Sequence, residues 1–155
     1  MSNPTYPEPA VSVCFAVTID DMSLGTFNSC EGLGVEVVME QREEGGNNGF
    51  VWQLPTRIKY PNIKLTRPLT SDTAKVAKWL SDSIGGKPDA RTGTGSILAL
   101  TSESKEIASW GLLDVVPVRW TGPSFNPDSP KVATETLEIA HHGFIDAKAK
   151  PSGQN

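Results

Sequence analysis

Residues 33–54 read LGVEVVMEQREEGGNNGFVWQL, and the way this stretch is read decides the fold. Leu33, Val35, Val37 and Met39 recur at every second position, which is the period of a strand with one apolar face. A run of polar and charged residues follows, then the cluster at 45–49 of three glycines and two asparagines, and the period resumes with Phe50, Trp52 and Leu54. Two patterned strands around a glycine-rich turn make a long β-hairpin, over about residues 33–60, that projects from its domain. A polar arm gains little by folding against its own domain. It orders on a neighbour through hydrogen bonds and rim charges, so the arm points to assembly.

The same alternation appears on either side of it. VSVCFAVTID, residues 11–20, puts Val11, Val13, Phe15, Val17 and Ile19 on one face, and the turn residues DDMSLG lead into a second extended piece running to Leu33. If that turn is centred on Met22, Cys14 faces Cys30 and a bridge has the right spacing. A one-residue slip abolishes it, and two thiols in the cytosol stay reduced, so we expect small buried thiols and not a disulfide. RIKYPNIKLTRPL, residues 57–69, reads as one strand interrupted near Pro61. The period then changes. In TSDTAKVAKWLSDSIGG, Thr73, Val76, Ala77, Leu80 and Ile84 share a helical face, with Ser71 as cap and Gly85-Gly86 as stop, which predicts one short α-helix over about residues 72–84. KPDARTGTG reads as a polar loop, and SILAL, IASWGLLDVVPVRW and KVATETLEIAHH as three further strands. Seven or eight strands, mostly joined as hairpins, predict a mainly β protein: a two-sheet antiparallel β-sandwich or barrel with one flanking helix. Residues 11–146 form one domain in this reading, with flexible ends at 1–10 and 147–155.

The 155 residues include 14 Lys and Arg against 18 Asp and Glu, a net charge of −4. This opposes the phosphate attraction on which nucleic-acid binding rests, so sequence-specific nucleic-acid recognition is not expected. No apolar run reaches the roughly 20 residues of a membrane span, and the N-terminus has no basic-then-apolar leader, so no stable membrane insertion is expected and the cytoplasm is the expected place of assembly. His141 and His142 are adjacent at a strand end, pointing to opposite faces, a poor arrangement for sharing a metal. A catalytic triad built on either lacks a GxSxG elbow and a cysteine in an electropositive setting. The glycines of RTGTGS and EEGGNNG lack the spacing of a phosphate-binding loop and read as turn chemistry. Glu40, Glu43 and Glu44 read as a solvated or partner-facing charge run and not as a cation site. Trp52, Trp79, Trp110 and Trp120 fill cores or protein interfaces. No catalytic residue, cofactor or metal is expected.

The order of these pieces resembles the tube proteins of contractile injection systems: T4-type phage tail tubes, extracellular injection-system tubes and, more distantly, the type VI secretion tube. The resemblance is carried by FAVTIDDMSLGTFNSCEGLGVEVVMEQREEGG, KYPNIKLTRPLTSDTAKVAKWLSD and WGLLDVVPVRWTGPSFNPDSPKVATETLEIAHHGF. It implies a structural protomer, six to a ring, with rings stacked into a hollow tube whose lumen is bounded by sheets joined from subunit to subunit. The tube is driven out when a surrounding sheath contracts. It further implies an inter-subunit contact through the hairpin arm: Glu40, Arg42, Glu43, Glu44, Gly45, Gly46, Asn47, Asn48, Gly49 and Phe50. Arg57, Lys59, Lys64 and Arg67 are the basic candidates to receive it. Implied partners are copies of the chain itself, a sheath protein, baseplate or spike and tube-terminator proteins, and a lumen cargo protein. HHG at 141–143 departs from the histidine-glutamate pair that relatives often carry. A monomeric β-sandwich binding module and a tube-initiator ring near the baseplate stand as alternatives.

Overall fold

The computed structural model describes residues 13–42, 51–85, 93–123, 128 and 132–145. The chain runs β1 (Val13–Ile19), β2 (Met22–Phe27), β3 (Ser29–Glu31), β4 (Glu36–Arg42), β5 (Trp52–Lys59), β6 (Ile63–Pro68), α1 (Thr73–Ile84), β7 (Gly93–Thr101), β8 (Glu106–Thr121), β9 (Thr134–Ala140) and β10 (Phe144–Ile145). The strands pair antiparallel in the order β2-β1-β7-β8-β9-β6-β3, while β4 and β5 form a separate two-stranded sheet. Two strands carry the chain from one layer to the other. β8 pairs with β7 up to Val115 and with β9 from Val116, turning at Asp114, whose φ of 52° breaks the extended run. β2 hands over to β3 at Asn28, whose N–H donates to the Thr66 carbonyl 2.9 Å away. Corner strands of this kind let two sheets pack face to face and share one core. The first sheet therefore holds β2, β1, β7, the first part of β8 and β10, and the second holds β3, β6, β9 and the last part of β8.

The core between them is apolar because each strand keeps its two-residue period. Val17, Ile19, Leu24, Phe27, Ile63, Leu65, Ile97, Leu112, Leu137 and Ile139 are all essentially inaccessible. Removing such side chains from water, at about 25 cal/mol per Å², is the main force holding the layers together. α1 packs beside β2 and β8 and closes one side through Val76 and Trp79.

Four expectations change on contact with the structure. The first turn is a two-residue one at Asp20-Asp21, with φ of 48° and 63°, the left-handed pair a tight hairpin demands, and not a turn centred on Met22. Cys14 consequently lies opposite Leu100 in one sheet and Cys30 opposite Leu65 in the other, and both thiols are free. Burial, and then the neighbouring Glu31, push the Cys30 thiol up to about 11. The interrupted strand over 57–69 is two strands in different sheets, β5 and β6, divided at residues 60–62. The helix has the expected span, but Asp72 and not Ser71 occupies its N-cap, and no side chain caps it. Its buried stripe runs through Val76 and Trp79 and leaves Ile84 80% exposed, since the bulkier indole takes the inward position. The polar loop ending at Gly95 instead begins β7 at Gly93. Gly95 stands where a Cβ would come 2.9 Å from Val115 Cγ2, so glycine here serves the close approach of two strands and not a turn.

Candidate functional site

The projecting arm is present as expected. β4 and β5 pair antiparallel from Glu36 opposite Lys59 to Arg42 opposite Trp52, with a bulge at Val38/Met39 where Thr56 Oγ1 donates to the Val38 carbonyl at 2.9 Å. Glu40 and Arg42 lie near the outer end of β4, both exposed, whereas Glu43, Glu44, Gly45, Gly46, Asn47, Asn48, Gly49 and Phe50 fall outside the described residues. Register divides the arm into two unlike faces. Val37 opposite Ile58 and Met39 opposite Pro55 make one face apolar, extended toward the body by Val35. The other carries Glu36 opposite Lys59, Val38 opposite Arg57, Glu40 opposite Leu54 and Arg42 opposite Trp52, mixing charge with exposed apolar groups, while Gln41 opposite Gln53 ends the apolar stretch of the first face.

The apolar face stands exposed, with nothing among the described residues covering it. Val35 and Ile58 are each 57% exposed and Met39 49%, and β4 and β5 pair as strands only with each other among the described residues. An isolated two-stranded hairpin is marginal in water, and a contiguous apolar patch on a folded protein marks a contact surface. The arm is thus built to be covered by something outside its own domain.

A second surface is the outward face of the second sheet. Inward residues of β6 and β9 enter the core, so Lys64 and Thr66 on β6, and Thr136 and Glu138 on β9, point away from it. Register extends both rows across four strands. Glu31 lies opposite Lys64, Lys64 opposite Glu138, and Glu138 opposite Arg119. Beside them Ser29, Thr66, Thr136 and Thr121 form a row of hydroxyls, with Thr66 and Thr136 Oγ1 atoms 3.3 Å apart. Asn62 Nδ2 donates to Glu138 Oε1 at 3.1 Å. These two rows are polar and the first alternates in charge, and among the described residues the sheet is open at both edges: β3 ends the strand order on one side, and β8 beyond Val115 has β9 on one flank and no described strand on the other.

Between the layers lies a buried ion pair that strand patterning points to. Arg67 and Glu135 occupy inward phases of β6 and β9, alongside Leu65 and Leu137, and face each other in register, each 1% exposed. Arg67 Nε donates to Glu135 Oε1 at 2.5 Å and Nη1 to the Leu24 carbonyl at 2.6 Å, while the guanidinium lies 4.2 Å from the Phe27 ring centroid. Thr73 Oγ1 at the start of α1 and Trp120 Nε1 on β8 donate to the same carboxylate, at 3.1 and 3.0 Å. Gly25 sits at φ 91° over this cluster, where a Cβ would come 2.5 Å from Asp72 Oδ2 and 2.7 Å from Arg67 Nη1. Arg67 is therefore not a receiver for the arm of another copy. It ties β2, β6, β9, α1 and β8 into one body.

The histidines divide as their adjacency predicts. His142 is exposed beside Asp114, 3.2 Å from its carboxylate. His141 is buried, its ring between Tyr60 and Phe144 at centroid distances of 5.3 and 5.0 Å, where the chain leaves the arm for β6. The Gly143 N–H donates to His141 Nδ1 at 3.2 Å, and Nε2 is buried without a partner. Burial holds the imidazole below its ordinary 6.5, the Gly143 carbonyl 3.2 Å from Nδ1 opposes this by accepting from the protonated ring, and His142 adds repulsion. A histidine whose folded pKa is depressed stabilises the fold above its unfolded value and loses that contribution as pH falls through the folded one. Unfolding midpoints of the native chain should therefore drop on going from pH 8 to pH 5, and His141→Phe should drop less. Equal losses would show that His141 does not titrate against folding. Among the described residues no cluster of His, Cys, Asp and Glu is arranged to hold a metal, and no helix is long and apolar enough to cross a membrane.

Comparison with known proteins agrees with this geometry. Residues 11–145 match the family described as T4-like virus tail tube protein gp19. Among solved structures, a chain of the sheath–tube complex of the PVC extracellular contractile injection system, in the extended state, superposes with a TM-score of 0.71 at 21% identity, covering 90% of each chain. A chain of the PVC sheath/tube terminator gives 0.70 at 22% identity, over 91% of this chain and 96% of that one. Hcp1 from Salmonella typhimurium gives 0.52 at 10% identity, over 84% and 83%. At these identities the likeness is one of fold. Among curated proteins, a glutamate–tRNA ligase of Methanococcus maripaludis strain C6 is 34% identical over 135 residues, 87% of this chain, and its counterpart in strain C5 is 28% identical over the same span. The chain spans about a quarter of the length of these ligases, 23%.

Proposed function

This chain belongs to the family of T4-like virus tail tube proteins, and from that premise we propose that it is a structural subunit of the inner tube of a contractile injection system or phage tail. Copies form stacked hexameric rings around a lumen, a sheath encloses them, baseplate and terminator proteins close the ends, and a cargo protein occupies the lumen. Assembly takes place in the cytoplasm as part of a tail-like particle. The work is geometric, transmitting thrust along a rigid cylinder, and needs no catalytic group.

The observation that carries this reading is the β4–β5 arm, whose apolar face is uncovered in its own protomer. In a stack that face is covered by the next ring, and the contact takes in Glu40, Arg42 and residues 43–50. The outward face of the second sheet, with its rows of charges and hydroxyls, lines the lumen. Its open edges let the four strands of one copy continue into those of the next, which removes the edges that otherwise invite irregular association. The ligase similarity is not carried over, because it spans under a quarter of those proteins and a net charge of −4 opposes tRNA phosphate.

Negative-stain microscopy of the purified chain, alone and with its sheath protein, is expected to show rings and tubes. A strictly monomeric chain under both conditions would refute the reading. Deleting residues 45–48 should leave the protomer folded, since turn tips tolerate change, and shorten the tubes. Unchanged tube lengths would remove the tip from the stacking contact.

A further inference from the structure

The charged row on the second sheet has a polarity of its own. It starts with an acid at one open edge, Glu31 on β3, and ends with a base at the other, Arg119 on β8, after Lys64 and Glu138 between them. The sheet has four strands, each antiparallel to its neighbour, so its two edge strands run in opposite directions. A second copy set edge to edge therefore continues the antiparallel pattern, β8 of one beside β3 of the next. The hydroxyl row behaves alike, ending in Thr121 on β8 and Ser29 on β3.

We propose that the occupant of these two edges is a second copy of this chain, and that Arg119 opposite Glu31 of that copy sets the register of the joint. In that register the alternation Glu–Lys–Glu–Arg passes from subunit to subunit without a like-charge neighbour, and Thr121 falls beside Ser29. A slip of two residues keeps the same faces outward but breaks the charge pair, setting Arg119 against Ser29 in one direction and Glu31 against Thr121 in the other. The charge pair thus distinguishes registers that the hydrophobic pattern treats as equal. Opposite charges directly across two strands attract and like charges repel, so the row selects one register and one neighbour. Both end residues are exposed in the protomer, and among the described residues the edges they sit on are unpaired. This rests on the ring reading above and adds to it the register of the lateral joint.

Charge reversal tests it, read by sedimentation velocity and negative stain of the full chain, with circular dichroism to check folding. Arg119→Glu or Glu31→Lys alone makes every joint like-charged and is expected to weaken ring formation by roughly tenfold per joint. Arg119→Gln and Glu31→Gln should fall between these and the native chain. Inverting the whole row, with Glu31→Lys, Lys64→Glu, Glu138→Lys and Arg119→Glu together, restores opposite neighbours within the chain and across the joint. That variant should form rings again. Single reversals that assemble like the native chain, or a folded inverted row that fails to recover rings, would overturn the assignment and leave the tube reading standing. A native chain that never forms rings would sink both.

Discussion

Glu135→Ala is expected to cost about 3–5 kcal/mol of folding stability, the loss typical of stripping one partner from a buried ion pair. The carboxylate accepts from Arg67 Nε, Thr73 Oγ1 and Trp120 Nε1, so its removal orphans donors on β6, α1 and β8 together. Arg67 is left charged and 1% exposed, with the Leu24 carbonyl and the Phe27 ring as its remaining contacts. Those contacts cannot make up for the missing counter-charge, because a cation over an aromatic ring contributes only about 1–2 kcal/mol. For a domain of this size the midpoint of thermal unfolding should fall by roughly 10 °C. The paired replacement Arg67→Met with Glu135→Leu should recover most of the loss, since removing both charges also removes the cost of desolvating them. Denaturant titrations of the three proteins measure this. A cost under about 1 kcal/mol for Glu135→Ala would mean that the network does not hold the layers together as its geometry implies.

The second large effect concerns assembly and leaves folding alone. Ile58→Glu, or Met39→Glu, places a carboxylate on the apolar face of the arm, at side chains that are already about half exposed in the protomer. Exposed substitutions of this kind change protomer stability by about 0.5 kcal/mol or less. On the proposed stacking the same side chains become covered, and burying an unpaired charge there should weaken each ring-to-ring contact by roughly 30-fold or more, the scale of a hot-spot residue. Sedimentation should then show rings without tubes, at unchanged melting temperature. Tubes of native length from either variant would place the stacking contact elsewhere.

These two results would separate the two jobs that charged and apolar residues exchange in this chain. Ordinarily the apolar side chains are inside and the charges outside, yet here Arg67 and Glu135 are buried while Val35, Met39 and Ile58 stand in water. The period admits the inward placement of the ion pair without deciding it: Arg67 continues the phase of Ile63 and Leu65, and Glu135 that of Leu137 and Ile139. It was the mutual register of β6 and β9, 68 residues apart, that no local pattern carried. The arm shows the opposite limit. Its alternation predicts strands correctly, but alternation reports only that one face is apolar, and says nothing of whether the covering surface belongs to the same chain.

The same distinction explains where the local reading went astray. Cys14 and Cys30 stand opposite each other only if the hairpin turns at Met22, and a turn at Asp20-Asp21 sends Cys30 into the other sheet. Gly93 and Gly95 looked like loop residues because strands seldom favour glycine, while the crowding that requires it comes from distant segments, the Asp20 carboxylate against Gly93 and Val115, some 20 residues later, against Gly95. The charged row of Glu31, Lys64, Glu138 and Arg119 had no local signal at all, being assembled from four strands spread over most of the chain.

By itself the sequence determined the mainly β class, the span of the single helix, the existence of the arm, and through its ordered motifs the family. Each of these depends on periodicity and turn chemistry acting over a few residues, which the linear order of side chains expresses directly. Only the tertiary structure decided the division of residues 57–69 between two sheets, the burial of Arg67 against Glu135, and the rows of charge and hydroxyl on the outward face. These depend on register between distant strands, and register is settled by the whole core closing at once around its apolar side chains, which no single stretch of the chain contains.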